Sequence, residues 1–539
     1  MRSANVLGVT LVLFAGLAWS DEGHHHTLTE EEIGSVHFST SCAPAVESDI
    51  NHAVALLHSF QYEDTRAAFE AVAAKDPKCA MAEWGIAMSH YHGLWGNGDA
   101  VAGREALKRA QQIASSNPAT TTREHGYIEA LGEIYLGQRP DAYARDSAFE
   151  SKMAALQSSY PDDTEAAIFH ALTLYITAPK TDRTFANQRK CGEILEPLLT
   201  KLPHHPGVVH YLIHCYDNPV LAEKGLGAAR TYASIAPASA HANHMPSHIF
   251  TRVGSWDESI RSNLKSAELA AQAEATSKNA EARDQRLHAM DYLEYAYLQS
   301  GQVTEAKAVL AEMKSLKPVS DLTLTGDYAI AAIPARSALE LGNWDDAAAL
   351  QVRSEGVPWA QAITWVAIGI GGARTNNLEL AAHAEESLAS LRDTIAKQNN
   401  EYWSKQVEVQ RRELLAWIQQ QTGKTNDAIA TMRSAADLEE SMDKHAVTPG
   451  AVLPAREMLA QLFVLANRPQ EAVAEFEAVL KIAPNRFNAL YGAATAAEAS
   501  GNQDAAQRYF RKLTEVAVGD ERPELVTARK KIAFTAKKE

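Results

Sequence analysis

The chain has 539 residues, 46% of them hydrophobic and 22% charged, an ordinary balance for a folded protein. That length exceeds one compact core, so several domains or one long repeat array are expected. A net charge of −16 excludes a nucleic-acid backbone as a natural partner.

In chain order, Arg2 followed by the apolar run Val6–Trp19 and the small-residue site Ala18-Trp19-Ser20 reads as a secretory signal. The run is too short to span a bilayer, and no later segment reaches the roughly 20 apolar residues such a span needs. The expected product begins near Asp21, is exported to the periplasm or outside the cell, and has no membrane span. His24-His25-His26 reads as a loose tail. Residues 1–20 are thus assigned to the signal, 21–46 to an N-terminal segment, 47–320 to N-terminal repeats and 321–539 to C-terminal repeats. An even count of cysteines in an exported chain permits two disulfides, and sequence neighbours favour Cys42 with Cys79 and Cys191 with Cys215. Four cysteines allow three connectivities, and thiolate ligation by Cys215 beside His214 is the competing reading.

From about Asn51 onward, apolar residues follow a helical period and little of the sequence alternates with period two. Phe60-Gln61-Tyr62-Glu63-Asp64 leads into Ala67, Ala68 and Phe69 and ends at Asp76-Pro77. Arg468-Pro469-Gln470-Glu471 leads into Ala472 and Phe476 and ends at Ala483-Pro484. Turn signals centre on Gly254, Gly301, Gly342, Gly423 and Gly501, each expected to cap a first helix in the left-handed conformation. These residues resemble the tetratricopeptide repeat family, whose unit is a helix–turn–helix of about 34 residues. The resemblance implies an all-α, right-handed solenoid of stacked hairpins, with Trp84, Trp256 and Trp344 in inter-helix packing. Cys79–Ser89, HYLIH and HMPSHIF are similar to an exported bacterial subgroup with no established activity.

Two His-x-x-x-His pairs stand out: His210 with His214, and His244 with His248, each position thirty-four residues from its counterpart. The resemblance implies that both pairs line the concave groove, with His241 and Asp217 extending the stripe. His288, Asp291 and Tyr295 follow His241, His244 and His248 by forty-seven residues each, the interval between Gly254 and Gly301. Residues three, four and seven apart share a helix face, so imidazoles there can converge on one ion at bonds of about 2.0–2.1 Å. Six histidines and two aspartates suffice for two ions. Neutral imidazole favours a transition metal, copper or zinc first and iron next. Facing pairs also match a dinuclear copper, oxygen-handling arrangement. Asp217 or Asp291 is alternatively an acceptor that fixes an imidazole tautomer.

Pro246 interrupts this pattern, because it donates no backbone hydrogen bond. The expectation is a helix starting near Met245, with His241 and His244 in the preceding turn. His58 and His92, also thirty-four apart, read as groove lining, His204-His205 as a loop, and Glu439-Glu440 as a solvated face. No nucleophile elbow, phosphate loop or zincin helix is present in the sequence. Two functions stand against each other: an exported protein with a His/Asp metal site, with or without enzymatic activity, and a metal-free scaffold taking a peptide or envelope protein in the same groove.

Overall fold

The computed structural model describes residues 28–94, 98–277, 280–317 and 322–536. The leader segment, His24–His26 and Lys537-Lys538 lie outside the described residues. Among those described, all regular structure is helical, and antiparallel hairpins follow one another from Glu47–His58 with Tyr62–Lys75 to Gln503–Val516 with Pro523–Ala536. None of these helices is long and apolar enough to cross a membrane.

Local chemistry sets the hairpins. Helix Pro246–Val253 stops at Gly254, whose φ of 69° a side chain resists, and Ser255 N–H then bonds Phe250 O at 2.8 Å. The next helix, Trp256–Ser277, starts at once. The other four turn glycines, Gly301, Gly342, Gly423 and Gly501, share the positive φ. Asn377, Asn400 and Asn502 cap following helices through their side-chain oxygens.

The apolar interior forms successive clusters rather than one mass, as in a stack where each unit buries its face on the next. Trp84 and Trp256 are buried, and Trp344 is half-buried with the Arg374 guanidinium 4.6 Å over its ring. Disulfides join Cys42 to Cys79 and Cys191 to Cys215.

The solenoid curves until distant repeats touch. Asp443 N–H bonds Lys180 O at 2.9 Å, Asn485 Nδ2 bonds Gly254 O at 3.0 Å, and Val518 N–H bonds Ser300 O at 2.9 Å. Between helices Thr425–Glu440 and Ala455–Leu465 the non-helical residues 441–454 enter the space enclosed by this closure. Tyr292 Oη donates to Ala446 O and Thr448 O there, and Tyr328 Oη to Thr448 Oγ1. The expected open groove is therefore a filled interior around the histidines. Glu439 and Glu440, expected on a solvated face, line a cavity in that interior.

Candidate metal centre

Four short stretches of helix deliver six imidazoles. Pro206 opens helix Pro206–Tyr216, which carries His210 and His214 one turn apart. Ser239 Oγ accepts the Ala242 N–H and starts the five-residue helix Ala240–His244, which carries His241 and His244. Met245 keeps helical angles, φ −52° and ψ −38°, and helix Pro246–Val253 carries His248. Thus His241 and His244 lie in helix rather than in a turn. Pro246 removes one backbone bond, the His248 N–H bonds Met245 O instead, and the i, i+4 relation survives. His288 comes from helix Ala280–Gln299.

These six sort into two trios across the repeat boundary. The ligand atoms of His210, His214 and His241 lie within 4.8 Å of one another, and so do those of His244, His248 and His288. Rings of the two trios adjoin, with His214 and His248 centroids 6.2 Å apart and His241 and His244 6.4 Å apart. No ring is more than 8% exposed.

In the first trio, His210 Nε2 lies 3.1 Å from His214 Nε2 and 3.0 Å from His241 Nε2. His210 Nδ1 donates to His58 O at 2.6 Å, so its Nε2 is a bare lone pair. Phe60 holds this trio from one side. Its φ of 55° is strained for a side chain of that size, and its ring sits 4.4 Å from His210.

The second trio is more tightly specified. His244 Nδ1 lies 2.8 Å from Asn263 Oδ1, and Asn263 Nδ2 donates to Ser259 O at 2.8 Å, which fixes the amide's orientation. His248 Nδ1 lies 2.9 Å from Asp217 Oδ2. Tyr292 Oη approaches the same Nδ1 at 3.3 Å but gives its proton to the Ala446 and Thr448 carbonyls. Both Nδ1 atoms are therefore donors, and both Nε2 atoms carry lone pairs. Those two bare nitrogens face each other at 3.0 Å. His288, its ring 4.2 Å from His244, has both nitrogens buried without a hydrogen-bond partner among the described residues.

Two facing lone pairs repel unless a proton or a metal cation lies between them. Burial, reinforced by the neighbouring imidazoles, holds His210, His214, His241, His244 and His288 well below the usual histidine range. Burial also lowers His248, against the pull of Asp217. The trios are thus neutral donor sets, the form that binds metal. Nitrogens bound at about 2.0–2.1 Å to a tetrahedral ion stand roughly 3.3–3.4 Å apart, so the facing atoms need only a small opening. Three imidazoles leave a fourth position, the ligand count of a catalytic rather than a closed structural site.

Asp217 stands behind this set. The chain leaves the helix at Asp217, and Asn218 Oδ1 turns it by accepting from Val220 N–H and Leu221 N–H. The carboxylate thereby swings to His248 Nδ1, Arg252 Nε at 2.7 Å and Lys444 Nζ at 3.0 Å. Burial pushes this carboxyl up, but Lys444, Arg252 and His248 outweigh it and hold it well below the usual range. Asp291 turns elsewhere, pairing with Arg336 Nη1 at 2.7 Å, and Tyr295 packs under Trp256 and Arg336.

A cavity of about 240 Å³ reaches both trios, since His241 and His288 line it together with Phe60, Tyr62, His92 and Glu281. His92 stacks on Tyr62 with centroids 4.0 Å apart. Burial and nearby Glu63 push Glu281 up to about 8, and burial raises Asp284 to about 6.

A third group joins His58, Glu165 and His205. Glu165 accepts from His58 Nε2 at 2.8 Å and from His205 Nε2 at 2.7 Å, and Tyr211 Oη meets His58 Nδ1 at 2.9 Å. With the carboxylate taken up by two N–H donors, this group is a buttress, and His58 passes the support to His210 through its carbonyl. His204 and His205 lie in the loop before helix Pro206–Tyr216, as expected, with His205 buried at its N-cap. Sequence reasoning missed Glu165, His205, Asn263, Tyr292 and Lys444. Glu165, Asn263 and Lys444 come from other segments with no local spacing to the histidine stripe. Tyr292, by contrast, stands one turn after His288 on the same helix and His205 caps the helix of His210, signals that could have found them.

The stacked hairpins define an all-α helical-repeat solenoid. Residues 463–530 match the tetratricopeptide repeat family model. Solved structures similar to the chain include yeast Tom70, at 12% identity over 76% of this chain and 96% of that one, with a TM-score of 0.32. Another is the human IFIT1 dimer with PPP-AAAA, at 12% identity over 78% of this chain and 87% of that one, with a TM-score of 0.35. No curated relative matches the sequence.

Proposed function

We propose that this chain is an exported metal-binding repeat protein in which each histidine trio holds one transition-metal ion, copper or zinc before iron. The observation that carries the reading is the pair of bare, buried nitrogens of His244 and His248 facing each other at 3.0 Å. Three further features support it: acceptors behind His210, His244 and His248, both unpartnered nitrogens of His288, and a cavity reaching His241 and His288. Two disulfides and the apolar leader support export. Such an ion would act as a Lewis acid, and would make the protein an enzyme only where water or substrate takes its fourth position.

The test is to strip the full chain with a chelator and titrate zinc or copper while following thermal unfolding. Mass action raises stability by about 2.7 kcal/mol at a hundredfold excess over Kd. The rise should shrink in His244→Ala/His248→Ala. An unchanged midpoint in the wild type would return the chain to the metal-free scaffold reading, with a peptide or envelope protein as partner.

A further inference from the structure

A second cavity, of about 190 Å³, lies in the interior on the side of the C-terminal repeats. Its wall carries four cations, and each already faces a carboxylate. Arg252 bonds Asp217 at 2.7 Å and Asp443 at 3.2 Å, and Lys444 bonds Asp217 at 3.0 Å. Arg183 approaches Asp443 at 3.9 Å, and Arg456 bonds Glu475 at 2.6 Å and Glu440 at 2.7 Å.

The acceptors are not matched in the same way. Glu413, 5% exposed, lines the cavity and makes no hydrogen bond or ion pair among the described residues. Its neighbour Glu439 accepts only the Ala455 N–H, at 3.1 Å. Gln410 lies three residues before Glu413 on helix Glu401–Gln421, hence on the same face, and its Oε1 is buried without a donor. Two carboxyl groups and an amide oxygen thus line one cavity, and of the three only Glu439 receives a donor, the Ala455 N–H. Isolated buried carboxylates are expensive, and burial pushes Glu413 well above the carboxylate range and Glu439 to about 7. Beside them the wall is apolar, with Ile363, Val366, Ile370 and Trp403.

We propose that this cavity binds a primary ammonium group on an apolar stem, seated between Glu413 and Glu439 with Gln410 as third acceptor. An ammonium offers three N–H donors and no acceptor, the complement of that set. The stem would lie along Ile363, Val366 and Ile370. Free amines and lysine side chains share this chemistry. The seat itself uses none of the side chains assigned to the metal centre.

Calorimetric titration of the full chain tests it with phenethylamine, with its uncharged counterpart phenethyl alcohol, and with a short lysine peptide. Phenethylamine should bind at least tenfold more tightly than the alcohol, before and after chelator treatment. Glu413→Gln and Glu439→Gln should each weaken the amine tenfold or more and leave the alcohol unchanged. Binding of the amine alone marks a small-molecule site, and binding of the lysine peptide marks a protein partner. Equal affinity for amine and alcohol in the wild type overturns the proposal, without relying on any variant folding. So does no binding of either ammonium probe, or full retention of amine affinity by both variants.

Discussion

Replacing Asp217 by Asn separates a role behind the metal from a role in the fold alone. The wild-type carboxylate receives His248 Nδ1–H at 2.9 Å, Arg252 Nε–H at 2.7 Å and Lys444 Nζ–H at 3.0 Å, all buried. Asn keeps an acceptor oxygen but removes the charge. Arg252 retains Asp443 at 3.2 Å, while Lys444 is left without its closest carboxylate. Breaking a buried ion pair from one side costs about 3–5 kcal/mol of stability. Weakening the partner of a ligating imidazole costs about 10–100-fold in metal affinity. Asp291→Asn is the matched comparison, since Asp291 pairs with fully buried Arg336 outside both trios. Competition against a chromophoric chelator should show lower affinity in Asp217→Asn and wild-type affinity in Asp291→Asn, with both proteins less stable in urea. Equal affinity in the two variants would refute the assignment of Asp217 to the metal centre.

Three other outcomes follow from the fold. Gly254→Ala places a Cβ 2.2 Å from Pro484 O, whereas at Gly423, also of positive φ, nothing lies within 4 Å. Both variants should lose about 1–2 kcal/mol for the backbone, and Gly254→Ala about 1–3 kcal/mol more for overpacking, as read by urea unfolding. Replacing both Cys191 and Cys215 by Ala frees a loop with a sequence separation of 24, which should lower stability by about 3.5 kcal/mol on the chain-entropy relation. An unchanged midpoint would mean that the bridge does not form. Burial pushes Glu294 up to about 8, against the pull of Arg336. A carboxyl raised in the folded state stabilises fully below its unfolded pKa, and that contribution is lost as pH rises from about 4.5 through 8. Glu294→Gln should flatten the loss of stability between pH 5 and 8 in chelator-treated protein, and an unaltered profile would refute that titration.

The repeat pattern was readable because each hairpin is built locally. Glycines at fixed turns, small residues at packing positions and prolines after second helices all act within one unit. The six histidines were readable for the same reason: repetition puts equivalent positions on the same face of successive helices. What the sequence did not disclose depends on the closure of the array. The contacts of Asp443 with Lys180 and of Asn485 with Gly254 span hundreds of residues, and they turn a groove into an interior. That closure brings Lys444 to the centre, seats the Ala446 and Thr448 carbonyls on Tyr292, and places Glu413 and Glu439 around a cavity. The division of the imidazoles into His210/His214/His241 and His244/His248/His288 also escaped linear spacing. His241 and His244 share the short helix Ala240–His244, yet His241 Nε2 meets His210 of the preceding repeat while His244 Nε2 meets His248.

The most direct measurement is the metal content of the full chain, expressed without an affinity tag and with His24, His25 and His26 replaced by Ala. Elemental analysis after exhaustive dialysis should find two equivalents of a transition metal per chain. His210→Ala/His214→Ala and His244→Ala/His248→Ala should each lower the count toward one, because the trios are separate donor sets. No stoichiometric metal in the wild type, or an undiminished count in both variants, would contradict the two-trio metal centre.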